Sequence, residues 1–176
     1  NITIYNPKNI NFKKVWEILI GLPLGYALTI MGYSVLHGSS ISLKNNTACI
    51  IGFSGLGKST LALSQLKRGC SFISEDLCVI KDKKIYNLYN WIKTSKDAIS
   101  SLKIKVDSEL KLDNDLRNRS FYKISGLKSL AKSKPNIFYF PVNDNKKSIE
   151  KMKTDEAFKF IFSNFYRNEN NNALDL

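Results

Sequence analysis

The chain has 176 residues, 43% hydrophobic and 24% charged, with a formal net charge of +12. That length and apolar content can build a core without disulfides or metals, so one domain over residues 1–176 is expected. The three cysteines, Cys49, Cys70 and Cys78, lack metal-ligand spacing, and an odd number of thiols predicts reduced, packed side chains in a cytoplasmic protein.

In chain order, residues 1–12 read as extended and Phe12–Gly21 as a helix or part of one. The start at Asn1 and the asparagine-rich close "NENNNALDL" suit a fragment of a longer protein, and no secretory signal is visible. The longest uncharged stretch, Ile18–Leu36, is nearly long enough to cross a bilayer. Pro23, its glycines, and the strand-like "HGSSISLKNN" that follows favour a buried helix and then a strand over a membrane span. Ser34–Leu36 and Ile41–Lys44 read as strands, and Asn45-Asn46 turns the chain into the β-rich "TACIIG", so a hairpin leads into a glycine-rich turn.

Ser59–Arg68 reads as a helix with Leu61, Ala62 and Leu66 on one face and Gly69 as its left-handed stop. Ser71–Ser74 is a short strand running to Glu75-Asp76, and "LCVI" pairs with "IYNLY" across Asp82-Lys83. Between Asn90 and Ser120 the apolar residues keep no steady period, and no element is assigned. "NIFYF" is a strand stopped by Pro141. Thr154 caps a last helix with Asp155 and Glu156 in its first turn and Ala157, Phe158, Ile161, Phe162 and Phe165 on its apolar face.

The positive charge is spread along the chain, apart from Leu116–Asn143, which holds Arg117, Arg119, Lys123, Lys128, Lys132 and Lys134 and no acid. Two readings of that run stay open: a solvated face, or a site for phosphate or an acidic substrate segment. No aromatic-basic RNA motif or helix-turn-helix pattern accompanies the charge, so no nucleic acid partner is expected.

Gly52-Phe53-Ser54-Gly55-Leu56-Gly57-Lys58-Ser59 matches G-x-x-x-x-G-K-[ST] at every fixed position. Glycines there let successive backbone N–H groups curl around phosphate, and the helix that follows adds its positive end. Lys58 would reach the β- and γ-phosphates, Ser59 would ligate Mg²⁺, and Thr60 continues the nucleotide-binding stretch. The β-rich strand before the motif and the amphipathic helix after it supply the context a phosphate loop needs.

Glu75 and Asp76 lie seventeen residues beyond Lys58 at the end of the next strand, where both would stand near a γ-phosphate. One acid would hold the metal ion and the other would accept the proton of an attacking hydroxyl. The alternative is a plain turn between two strands. His37, the sole histidine, reads either as a packed histidine or as a neighbour of these acids on the same sheet.

Together "LHGSSI", "GFSGLGKSTLALSQLKRG" and "FISED" resemble the catalytic domain of HPr kinase/phosphorylase, and more closely the smaller serine kinases related to it, such as those acting on lasso-peptide precursors. The likeness runs over Gly21–Ile80, with about 21–90 as the nucleotide-binding core. It implies an α/β fold with a phosphate loop on a mixed β-sheet of the phosphoenolpyruvate carboxykinase type, flanked by helices. It also implies that Glu75 is the base, that Asp76 and Ser59 hold metal, and that His37 sits beside the acid pair. The family commonly has two aspartates where this chain has Glu75-Asp76, and the glycine-containing loop linked to phosphorolysis has no counterpart here.

The expectation is an ATP- and Mg²⁺-dependent kinase acting on a serine of a protein or peptide, with a homo-oligomer as the plausible assembly. A small-molecule kinase whose lid carries Arg117 and Arg119, and a nucleotide-binding regulatory protein without transfer, are the rivals.

Overall fold

The computed structural model describes residues 12–112, 115–143 and 148–166. The order of elements is α1 (Phe12–Leu19), α2 (Leu22–Ile30), β1 (Ser34–Leu43), β2 (Asn46–Ile51), α3 (Lys58–Lys67), β3 (Ser71–Ser74), β4 (Leu77–Lys81) and β5 (Lys84–Tyr86). Then come β6 (Ile92–Ser95), α4 (Lys96–Ser101), β7 (Val106–Lys111), β8 (Arg119–Ile124), β9 (Lys132–Ser133), β10 (Ile137–Tyr139) and α5 (Thr154–Ser163). Of the stretch read as extended, residues 1–11 lie outside the described residues, and Phe12 begins a helix.

The fold is mixed α/β. Among the described residues the larger sheet has seven strands in the order β10-β2-β1-β4-β5-β9, with β3 also paired to β1. It is mixed because β10 runs parallel to β2 while the other pairs are antiparallel. A second, antiparallel sheet has the order β6-β8-β7.

β1 is the centre of the larger sheet. Ser34–Leu36 and Ile41–Lys44, expected as separate strands, are parts of one strand of ten residues. The small polar residues between them mark no turn, because Ser39 and Ser40 are buried inside the sheet, where Ser40 shares a hydrogen bond with Cys78 Sγ and the Ser39 hydroxyl has no hydrogen-bond partner among the described residues. Gly38 fits because a Cβ there would stand 2.6 Å from the Ile50 carbonyl oxygen of the neighbouring strand. The expected hairpin into β2 is present, with Leu43 paired to Asn46.

β3 and β4 both run antiparallel to β1, opposite Ser40–Ser42 and Ser34–His37 respectively. They form one interrupted strand, and Glu75-Asp76 is the interruption. Asp76 has φ 66°, the left-handed region that aspartate tolerates better than most residues. The β4–β5 hairpin turns on Asp82-Lys83 as expected, although β5 ends at Tyr86.

α3 lies between the two sheets. Ala62 packs with Ile41 and Ile50 of the larger sheet, whereas Leu63 packs with Ile92, Tyr122 and Ile124 of the smaller one. Leu61, expected on the buried face, is 41% exposed, and Leu63 takes its place because a helix between two layers buries two stripes rather than one. Gly69 has φ 97°, the expected left-handed stop.

The apolar stretch Ile18–Leu36 forms no single buried helix. Gly21, at φ 130°, and Pro23 separate α1 from α2, and only the inner face of α2, with Leu24 and Leu28, packs on Val35, Leu77 and Val79. Its outer face leaves Leu22 and Ile30 exposed, and among the described residues no helix is long and apolar enough to cross a membrane. α5 begins at Thr154, but Lys153 holds the cap position and no side chain caps the helix. Its apolar face is only partly used, since Ile161 and Phe165 pack on the core while Phe158 is exposed.

Candidate active site

The glycine-rich loop connects β2, the strand beside β1, to α3. Gly57, at φ 77°, turns the chain into α3, which starts at Lys58, one residue before its expected start. No side chain caps this end, so its first N–H groups face the cleft unpaired by a capping side chain. Lys58 is buried, and its ammonium donates to the Phe53 carbonyl at 2.9 Å. Burial lowers the Lys58 pKa, an effect opposed by the Asp76 and Glu75 carboxylates.

β1 brings the remaining parts together. Gly38 is paired with Ile51, just before the loop, and its N–H donates to the Asp76 carbonyl at 3.3 Å on the other side. The acid pair and the loop therefore flank the same point of one strand. His37 precedes that point, and its Nε2 stands 3.5 Å from Asp76 Oδ1. Burial lowers the His37 pKa, while Asp76 acts in the opposite direction. The end of α5 steadies this part of β1, because His37 N–H donates to the Asn164 carbonyl and Tyr166 N–H to that of Val35.

The two acids have different surroundings. Glu75 is 4% exposed; its Oε1 accepts from Ser59 Oγ at 2.5 Å and its Oε2 from Lys93 N–H at 3.2 Å. Burial and then the neighbouring Asp76 push its pKa well above the ordinary carboxylate range. Tyr89 Oη donates to the Glu75 carbonyl at 2.9 Å and fixes the backbone at the strand break. Asp76 instead turns toward His37 and the open cleft.

Ser54, Gly55, Gly57, Lys58, Ser59 and Thr60 line this cleft with His37, Glu75 and Asp76. Gly52, Phe53 and Leu56 are not in its wall, and the Phe53 side chain is exposed. The opposite wall comes from the small sheet and the turn that enters it, in the segment where no element was expected: Lys93 to Ser95 of β6, with Arg117 just before β8 and Arg119 at its start.

Asp115 organises that wall. Arg119 Nη2 donates to Asp115 Oδ2 at 2.7 Å, Arg117 N–H to Oδ1 at 2.9 Å, and Lys93 Nζ stands 3.6 Å from Oδ2. Burial alone would raise the Asp115 pKa, but the hydrogen bonds and charge of Arg119 outweigh it and lower it to about 2. The acid-free basic run signalled the two arginines. Nothing in the sequence signalled Lys93 or Asp115.

Cys49 and Cys78 are buried, and all three cysteines are free thiols. Burial raises the Cys78 pKa to about 11, which suits packed rather than reactive sulfur.

No family model matches the chain. Among curated proteins, an HPr kinase/phosphorylase of Chlorobium phaeovibrioides (strain DSM 265 / 1930) is 29% identical over 82 residues, which is 47% of this chain. The match covers 24% of that relative, so the chain spans about a quarter of its length. The chain thus has a distant HPr-kinase-like relationship.

Proposed function

We propose that this chain is a Mg-ATP-dependent, HPr-kinase-like phosphotransferase that phosphorylates a serine hydroxyl of a protein or peptide. Its loop would be a phosphate loop, on a sheet of the phosphoenolpyruvate carboxykinase type. One observation carries the reading: the loop residue Ser59 bonds to Glu75 while Asp76, the next residue, faces His37 across the same cleft. A nucleotide loop meeting two carboxylates in different settings supports acid-base chemistry beside a bound phosphate.

The donors present suit a hard cation. Ser59 Oγ and the two carboxylates are oxygens, and no cluster of three or more His, Cys, Asp and Glu gathers among the described residues. Ser59 and Glu75 would hold Mg²⁺, with phosphate and water as its other ligands. When bound, Mg²⁺ neutralises charge on the β- and γ-phosphates.

In this reading the loop N–H groups and Lys58 bind the triphosphate. The serine oxygen bonds to the γ-phosphorus as its bond to the β,γ-bridging oxygen breaks. ADP departs with that electron pair, and the serine proton passes to Asp76, oriented by His37. The family resemblance implies Glu75 as base and Asp76 on the metal. Asp76 is the carboxylate that faces His37 and the cleft, while Glu75 bonds to the loop serine Ser59, so here the two roles are exchanged.

Transfer of labelled γ-phosphate from ATP to serine peptides, lost in Lys58→Ala, tests the proposal. Nucleotide binding with no transfer to any of a broad panel of peptides and proteins would favour a regulatory nucleotide binder. A small-molecule acceptor is the second reading, favoured by the contact of Arg117 with the loop at Ser54. Phosphorylation of sugars, nucleosides or amino acids but not of peptides would support it.

A further inference from the structure

We propose that Arg117 binds the terminal phosphoryl group of a nucleoside triphosphate on the glycine loop, so that the small sheet completes the nucleotide site. The inference rests on the phosphate-loop reading above and extends it to a residue outside the loop and the acid pair.

Arg117 is already seated on the loop. Its Nη1 donates to Ser54 Oγ at 2.7 Å, and a Cβ built on Gly55 would stand 3.3 Å from the same nitrogen. Lys58 Nζ donates to the carbonyl of Phe53, the residue before Ser54. Two cations, one at the start of α3 and one just before β8, thus engage adjacent residues of one loop. That arrangement is repulsive by itself and is relieved by an anion bound between them.

The neighbouring cations already have a carboxylate partner. Arg119 and Lys93 share Asp115, at 2.7 and 3.6 Å. Arg117 gives Asp115 only its backbone N–H, and among the described residues no carboxylate pairs with its guanidinium. Asp115 therefore anchors the chain at Arg117 while leaving the side chain's charge free. A guanidinium has five N–H donors in a planar fork, and Ser54 occupies one of the nitrogens, so donors remain for phosphoryl oxygens.

The consequence is discrimination between triphosphate and diphosphate. Affinities for Mg-ADP and for the non-hydrolysable β,γ-imido analogue of ATP are measured by calorimetry in the wild type, Arg117→Met, Arg117→Lys and the exposed control Lys123→Met. The wild type is expected to bind the triphosphate about tenfold more tightly than ADP. Arg117→Met should remove that preference while ADP affinity stays within about twofold, with Arg117→Lys between them and Lys123→Met unchanged.

Equal weakening of both nucleotides in Arg117→Met, or no change in either, would overturn the proposal; the former would mean that Arg117 only shapes the loop through Ser54. A wild type that shows the preference but phosphorylates nothing leaves the Arg117 inference standing and removes the kinase reading. Failure to bind either nucleotide overturns both.

Discussion

Ser59 Oγ donates a 2.5 Å hydrogen bond to Glu75 Oε1, joining the first turn of α3 to the break between β3 and β4. The Glu75 carboxyl also accepts from Lys93 N–H of the small sheet, so one buried side chain ties helix, larger sheet and smaller sheet together. Glu75→Ala leaves two donors without that partner and opens a void, and is expected to lose about 3 kcal/mol of stability. Glu75→Gln can keep both contacts and should stay within about 1 kcal/mol, while phosphoryl transfer falls about 100-fold. Urea unfolding beside a transfer assay separates the two effects; equal stability losses would remove Glu75 as a structural tie.

Lys58 is buried with its ammonium on its own loop. Lys58→Met keeps the apolar stem and removes the charge. The denaturation midpoint should change little, and transfer should fall by about 100-fold to 1,000-fold. Transfer within threefold of the wild type would contradict the role assigned to Lys58.

Asp76 and His37 are expected to act as a unit. Asp76→Asn should reduce transfer by about 1,000-fold and His37→Ala by less, with little further loss when His37→Ala is added to Asp76→Asn. A double-mutant cycle on kcat measures this. Fully additive losses would mean that His37 does not act through Asp76.

Asp115 gives a dependence on pH. Its folded pKa is about 2 against an ordinary 3.8, so the folded state binds fewer protons than the unfolded state between those values. Its stabilisation is therefore present above about pH 4 and is lost as pH falls toward 2. Asp115→Asn should be less stable at neutral pH and should show a shallower decline over that interval in urea titrations. Parallel pH profiles would show that the carboxylate carries no linked proton.

Two glycines separate rigid from yielding contacts. At Gly38 a Cβ would stand 2.6 Å from a backbone carbonyl in the centre of the sheet, whereas at Gly25 it would meet the Tyr166 ring at 2.7 Å. A ring can turn away and a paired strand cannot. Gly38→Ala should cost about 3 kcal/mol and Gly25→Ala about 1, read from thermal unfolding.

The glycine loop, its flanking strand and helix, the β4–β5 turn and the presence of an acid pair were legible because each depends on neighbours in sequence. Thr154 was misread as a cap, because cap geometry depends on the entering backbone, and at α5 the helix begins one residue earlier than a Thr154 cap requires. Ser34–Leu43 was divided because buried serines imitate a turn when the strands that cover them are unknown. The segment from Asn90 to Ser120 gave no period, since β6, α4 and β7 are short and β7 is mostly exposed.

By itself the sequence determined which residue types gather at the cleft: glycines with the freedom to turn, Lys58, Ser59 and carboxylates one strand later. Tertiary structure alone decided how those carboxylates divide. β1 aligns Asp76 with His37, and burial against β6 turns Glu75 toward Ser59 and Lys93. It also decided that Arg117 reaches Ser54, a contact between residues sixty-three positions apart. Local order follows from backbone preferences, but the partner of a charged side chain depends on which distant strand folds beside it.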